Sequence, residues 1–190
     1  QRVLKNLTIP LIGVHNIKNA ASALSVAFSI GVSDKIIKKG LKNFKGVQRR
    51  FNYLFEKNQI PFFDDYAHHP TEIESVLDGV KKVYNEEEIV CIFQPHRISR
   101  VRSLKKEFSK CFKKANTILL CPIYKAGENI KLGFSYKSFA KLIAKNSNVN
   151  LIMLKNEHEL KKIIKNITFG KKIFIAMGAG SISSWVRNLN

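Results

Sequence analysis

Beyond residue 46 the chain alternates short apolar runs with longer amphipathic stretches, and this alternation restricts the fold more than any other feature. The runs at 89–94, 117–122 and 172–177 are almost continuously apolar, as strands buried on both faces must be. Helical patterns lie between and around them at 71–83, 99–114, 135–145, 157–166 and 181–189, with a short strand at 151–154. Two further strands, 51–56 and 60–66, flank a turn at Lys57-Asn58 and read as a hairpin. The pattern predicts an α/β fold: Rossmann-like and doubly wound, with a mostly parallel sheet and an antiparallel hairpin at its edge.

The first 46 residues read differently. Residues 15–30 form an Ala- and Ser-rich helix broken by Gly31, and Ser33 can cap a second helix running to about residue 44. Two short connected helices resemble the tail of a larger domain, so the expected units are 1–46 and 47–190. The chain has no initiator Met and no apolar leader, which suggests that it begins inside a longer protein. No run approaches the roughly 18 apolar residues of a membrane span. Cys91, Cys111 and Cys121 are odd in number and widely spaced, without a CxxC pair. That argues against a zinc site or a secreted disulfide framework and for a reducing cytoplasm. The net charge of +19 is mostly Lys and is spread along the chain. It reads as a solvated basic surface that favours anionic substrates, not as a nucleic-acid interface.

Five polar clusters punctuate this frame. Gly13-Val14-His15-Asn16-Ile17-Lys18-Asn19 sets His15 and Asn19 on one helical face. Asn16 can serve an adenine edge or simply cap the helix, and His15 can approach a phosphate or a metal. Gln48-Arg49-Arg50-Phe51 offers guanidinium forks for phosphate or ribose, or a solvated strand edge. In Phe62-Phe63-Asp64-Asp65-Tyr66-Ala67-His68-His69-Pro70-Thr71-Glu72 an apolar strand end runs into carboxylates, a phenol and two imidazoles, then into a helix start. Such junctions are where open α/β sheets bind ligands. Asp64 and Asp65 suit ribose hydroxyls or Mg²⁺, and the histidines suit proton transfer or an anionic intermediate. Phe93-Gln94-Pro95-His96-Arg97-Ile98-Ser99-Arg100 repeats the layout with Arg97 and Arg100 at a helix start, a natural carboxylate site. Met177-Gly178-Ala179-Gly180-Ser181 is a strand, a glycine turn and a helix start that can cradle a phosphate or simply make a tight strand–helix turn. It lacks the third glycine of a dinucleotide fingerprint and is expected to close the sheet order. No GxxxxGK[ST] loop occurs.

These motifs, in this order, resemble the Mur ligases of peptidoglycan synthesis, in the branch that adds L-alanine. The carrying residues are Gly13-x-His15-Asn16-x-x-Asn19, Arg49-Arg50-Phe51, Asp64 to Glu72, Phe93 to Arg100 and Gly178-Ala179-Gly180-Ser181. A muropeptide-recycling branch shares the histidine stretch but not the later arginine motif. The resemblance implies three domains, of which this chain carries the tail of a central ATPase domain and a complete last domain. It implies ATP and Mg²⁺ as cofactors, and UDP-N-acetylmuramate and L-alanine as substrates joined through an acyl phosphate. It places Asn16 and Asn19 at adenine, His15 near Mg²⁺ and the phosphates, and Arg50 and Asp65 at the nucleotide. Tyr66, His69, His96, Arg97 and Arg100 line the amino-acid side, with Arg97 or Arg100 holding the L-alanine carboxylate. The fragment is expected to be inactive alone. A stand-alone nucleotide- or anion-binding module is the other reading. Ile98 departs from the branch, which usually has Tyr there.

Overall fold

A computed structural model describes residues 3–10, 14–44 and 49–190, apart from the side chain of His15. Gly13, Gly46 and Gln48, named above, lie outside the described residues. The chain forms two compact units, 1–48 and 49–190. Among the described residues no helix is long and apolar enough to cross a membrane.

The first unit holds α1 (Val14–Ser29) and α2 (Asp34–Asn43). Gly31, with φ at +79°, turns the chain after α1, a conformation that glycine adopts without steric cost. Ser33 occupies the N-cap position of α2, but its hydroxyl makes no capping bond, contrary to expectation.

The second unit is built on six strands: β1 (Asn52–Lys57), β2 (Ile60–Asp65), β3 (Glu88–Phe93), β4 (Thr117–Leu120), β5 (Asn150–Met153) and β6 (Lys172–Met177). Their order is β1-β2-β6-β3-β4-β5. Only β1 and β2 pair antiparallel; every other pairing is parallel. The hairpin turns at Asn58 and Gln59, both at positive φ, one residue later than the sequence suggested. Two consecutive positive φ angles match the twist of a tight hairpin. Strand residues alternate between two cores, as the two-residue pleat requires. Phe63, Cys91, Phe93, Ile118, Leu120, Ile175 and Met177 pack with α3 (Pro70–Val83), α4 (Ile98–Ser103), α5 (Lys105–Phe108) and α6 (Tyr136–Ser147). Phe62, Val90, Ile92, Leu119, Phe174 and Ala176 pack with α7 (Glu157–Ile167) and α8 (Ile182–Arg187). Helices therefore cover both faces, and the fold is doubly wound.

Two expectations need correction. The helix expected over 99–114 is broken into α4, α5 and a run of turns. Polar links to α6 replace helical bonds there: the Phe112 N–H donates to Ser147 Oγ at 3.3 Å, and Ser147 Oγ donates to the Ser109 carbonyl at 2.8 Å. The resulting bend lets Phe108, Cys111 and Phe112 all reach the core. Second, β6 closes the sequence order but not the sheet. It lies between β2 and β3, so Asp65, Met177 and Phe93 are ladder neighbours at the carboxyl ends of three adjacent strands. That placement gathers three motifs from distant parts of the sequence onto one edge.

Candidate functional site

The edge is organised around buried polar anchors. Asp64 is fully buried. Its Oδ2 accepts the Ser183 hydroxyl at 2.5 Å and pairs with Arg187 at 3.5 Å and with Arg49 Nε at 3.8 Å. Arg49 also donates to the carbonyls of Gly178 and Gly180, and its guanidinium lies 4.8 Å over the Tyr66 ring. Arg49 thus joins the end of β2 to the glycine turn after β6. Asp65 is also fully buried. Its two oxygens accept the backbone N–H groups of Phe51 and Ala67, at 2.8 and 2.7 Å. Burial pushes its carboxyl up to about 6, against those hydrogen bonds and the nearby Arg50 charge. The expected ribose contact therefore has no exposed Asp65 oxygen here. Asp65 instead fixes the strand end beside Arg50.

The imidazoles follow. His69 caps α3: its Nδ1 accepts the Thr71 N–H at 3.4 Å and the Thr71 hydroxyl at 2.9 Å. In that arrangement Nε2 carries the ring proton. Glu72 completes the capping box by accepting the N–H groups of His68 and His69, at 3.1 and 3.2 Å. Those bonds and the adjacent His68 hold the Glu72 carboxyl below its ordinary range, although its partial burial is the largest influence and opposes them. His68 Nδ1 donates to the Tyr66 carbonyl at 2.8 Å. The His68 ring meets the edge of Tyr66 at 5.2 Å and of His96 at 5.7 Å. His96 stacks on Tyr124 at 5.6 Å. Burial, then the charges of His68, Arg100 and Arg97, push His96 below the usual imidazole range, so it stays neutral near pH 7.

Arg100 donates from Nη1 to the His96 carbonyl at 2.6 Å and approaches His96 Nδ1 at 3.3 Å. Arg97 is half exposed and pairs through Nε with Glu128 at 3.4 Å. The sequence reading missed Glu128, which also accepts the Ser99 N–H at 2.9 Å and the Ser99 hydroxyl at 2.5 Å. Tyr124 and the anchoring role of Arg49 were missed as well. The only sequence signals were the Ala126-Gly127 turn before Glu128 and the doubling of Arg beside Phe51. Ile98 is buried, so the position where the resemblance expects Tyr contributes packing.

The glycine turn is closely packed against Gln94 and Tyr124. A Cβ at Gly178 would lie 2.6 Å from the Gln94 carbonyl oxygen. At Gly180 it would lie 2.5 Å from both Gln94 Oε1 and Tyr124 Cγ. These glycines admit Gln94, whose Oε1 accepts the Ile182 N–H at 3.0 Å and whose Nε2 donates to Ser181 at 3.1 Å. In the first unit, Asn16 is buried and Asn19 exposed on α1, while the side chain of His15 lies outside the described residues.

The edge thus concentrates Tyr66, the three histidines His68, His69 and His96, and the four arginines Arg49, Arg50, Arg97 and Arg100 around the carboxyl ends of β2, β6 and β3. Such a concentration of cationic and hydrogen-bonding groups suits an anionic ligand. Residues 49–180 match the family model described as Mur ligase, glutamate ligase domain.

The chain belongs to the Mur ligase family.

Among curated relatives of this Mur ligase chain is the UDP-N-acetylmuramate–L-alanine ligase of Pelagibacter ubique, 61% identical over 97% of this chain and 41% of that protein. The enzyme of the same name from Rhizobium etli is 39% identical over 98% of this chain and 39% of its own length. Among solved structures, the UDP-N-acetylmuramate–alanine ligase of Thermotoga maritima superposes with a TM-score of 0.79 at 29% identity. The match covers all of this chain and 40% of that one. A murein peptide ligase from Psychrobacter arcticus matches with a TM-score of 0.68 at 24% identity over 96% of this chain and 38% of its own. At that identity it speaks for the fold alone. The chain spans about 40% of the length of the curated relatives. Because these curated relatives bear the L-alanine ligase name, the recycling branch is not favoured. The family description names glutamate and the relatives' names name L-alanine, so the family is shared while the amino acid needs its own argument.

Magnesium was the expected metal. Among the described residues no three His, Cys, Asp or Glu side chains gather as a metal site. Of the carboxylates considered for Mg²⁺, Asp64 Oδ2 is engaged by Ser183 and two arginines, both Asp65 oxygens accept backbone N–H groups, and Asp64 Oδ1, which has no hydrogen-bond partner, is buried away from water. They do not fit an octahedral, partly hydrated ion.

Proposed function

We propose that these residues are the C-terminal part of an ATP-dependent ligase that joins L-alanine to UDP-N-acetylmuramate. The observation that carries this reading is the 61% identity to a ligase of that name, spread over both units. In the proposed reaction, ATP phosphorylates the muramate carboxylate, giving an acyl phosphate and ADP. The amine of L-alanine attacks the acyl carbon, phosphate leaves, and the amine loses its proton as the amide forms. The chain's task is positioning and charge stabilisation.

Arg97 and Arg100 are assigned to the L-alanine carboxylate, with Tyr66, His69 and His96 beside them. His69 and His96 offer ring N–H donors whose tautomers are set by Thr71 and Arg100. Arg50 is assigned to the nucleotide, and Asp65 acts by shaping the strand end next to it. Asn16 and Asn19 are assigned to adenine, and His15 to the phosphates and their Mg²⁺, by resemblance alone. Residues 1–46 are the proposed tail of the ATP-binding domain, and the remaining domains belong to the same polypeptide. The cytoplasm is the proposed compartment.

The test is ADP release by the full-length enzyme, dependent on both UDP-N-acetylmuramate and L-alanine. Arg97→Ala and Arg100→Ala should each raise KM for L-alanine. The 190-residue chain, which holds no GxxxxGK[ST] loop, should release none. Ligation by that chain alone, or arginine variants with unchanged KM, would overturn the assignment.

A further inference from the structure

We propose that Glu128 is a positioning residue for the amino-acid site. It holds Arg97 by Nε so that the terminal edge of the guanidinium is presented to the carboxylate of the incoming amino acid. The inference rests on the assignment of Arg97 to that carboxylate.

The geometry is built from both sides. Glu128 belongs to the loop after β4. There Ala126 and Gly127 both take positive φ, at +52° and +79°, and the Glu128 N–H donates to the Lys125 carbonyl at 3.0 Å. This is a tight turn that alanine enters at a steric cost. It swings Glu128 back onto the start of α4. One carboxylate then accepts two hydrogen bonds, from Ser99 N–H and Ser99 Oγ, and forms an ion pair with Arg97 on its Nε side. The Ser99 hydroxyl first, then its N–H and the Arg97 charge, hold the Glu128 carboxyl below its ordinary range, so it is ionised whenever the arginine needs it. The same loop is fastened a second time, four residues earlier: Tyr124 N–H donates to the Pro95 carbonyl at 2.8 Å, and the Tyr124 ring stacks on His96. The segment Pro95–Arg100 therefore takes its shape from the 124–128 loop.

Arg97 is half exposed, and a free arginine side chain samples many rotamers. A carboxylate on Nε removes much of that freedom. Among the described residues Nη1 and Nη2 have no partner, and that pair is the fork which binds a carboxylate with two parallel bonds.

The experiment uses the full-length ligase, with KM measured separately for L-alanine, UDP-N-acetylmuramate and ATP. Glu128→Gln keeps an acceptor for Ser99 but loses the charge on Arg97. It should raise KM for L-alanine between about 10- and 100-fold, the range for losing one charge-assisted hydrogen bond to a substrate, and leave the other two constants unchanged. Glu128→Asp should restore part of that loss. Arg97→Ala should raise the same KM, and Glu128→Gln added to Arg97→Ala should do nothing more, because its target is gone. If Arg97→Ala raises KM for L-alanine and neither Glu128 variant does, the inference fails and the ligase reading stands. If Arg97→Ala itself leaves that KM unchanged, the underlying reading fails. Equal losses in all three constants, or additivity in the double variant, would reduce Glu128 to a fold-stabilising residue and overturn the proposal. Thermal melting of each variant guards against misfolding, and the double-variant comparison remains decisive where Glu128→Gln alone is destabilised.

Discussion

Replacing Gly180 by Ala adds a single carbon where the strand-end edge is tightest. The new Cβ would lie 2.5 Å from Gln94 Oε1 and 2.5 Å from Tyr124 Cγ, nearly 1 Å inside ordinary contact. Gly180 does not have positive φ, so backbone strain contributes nothing and the effect is steric. Neither neighbour yields freely. Gln94 is buried, and moving its side chain breaks the bond from the Ile182 N–H, leaving a buried donor unpaired. Tyr124 would be displaced at the root of the ring that stacks on His96. Overpacking costs about 1–3 kcal/mol and an orphaned buried donor about 1–3 kcal/mol. Partial relief of one by the other gives a loss of about 2–4 kcal/mol. For a unit of this size that lowers Tm by about 5–15 °C. Trp185, the only tryptophan, lies in α8 immediately after the turn, so its fluorescence reports the relevant unfolding. Gly170→Ala is the control. Nothing stands within 4 Å of its would-be Cβ, and its φ of +75° predicts only the backbone cost of about 1–2 kcal/mol. A Gly180→Ala melting point within about 2 °C of the parent would refute the argument that these glycines admit Gln94 and Tyr124.

Asp65 makes stability fall with rising pH. Between 3.8 and about 6 the folded chain still holds the proton that the unfolded chain has released. The difference corresponds to about 3 kcal/mol, fully expressed above pH 6. Asp65→Asn should flatten that slope in urea titrations from pH 4 to 7, and an unchanged slope would count against it. Arg49→Ala leaves buried Asp64 with one arginine fewer and frees two glycine carbonyls, for a loss of about 3 kcal/mol in urea unfolding. Arg49→Lys should recover no more than about half, since an ammonium lacks the fork. Tyr136→Phe removes the 2.6 Å bond from the hydroxyl to the Cys121 carbonyl and should cost about 1–2 kcal/mol by thermal melting, with catalytic constants unchanged.

The sequence by itself determined the architecture. Continuous apolar runs such as Ile89–Phe93 can satisfy their side chains only between two layers of helices, and alternating strands and helices leave few topologies. Polar residues crowded at strand ends marked the edge that matters, because nothing in folding alone requires Asp, Tyr and His together there. Local signals end where partners lie far apart along the chain. The sequence could not place β6 between β2 and β3, because strand order is decided by non-local pairing. For the same reason it could not separate Arg49, folded onto Gly178 and Asp64, from Arg50 next to it. Nor could it show that Asp64 and Asp65 both turn inward, or that Glu128 returns across a turn to meet Arg97. Those outcomes depend on which buried donor meets which acceptor, and only the tertiary structure brings them within bonding distance.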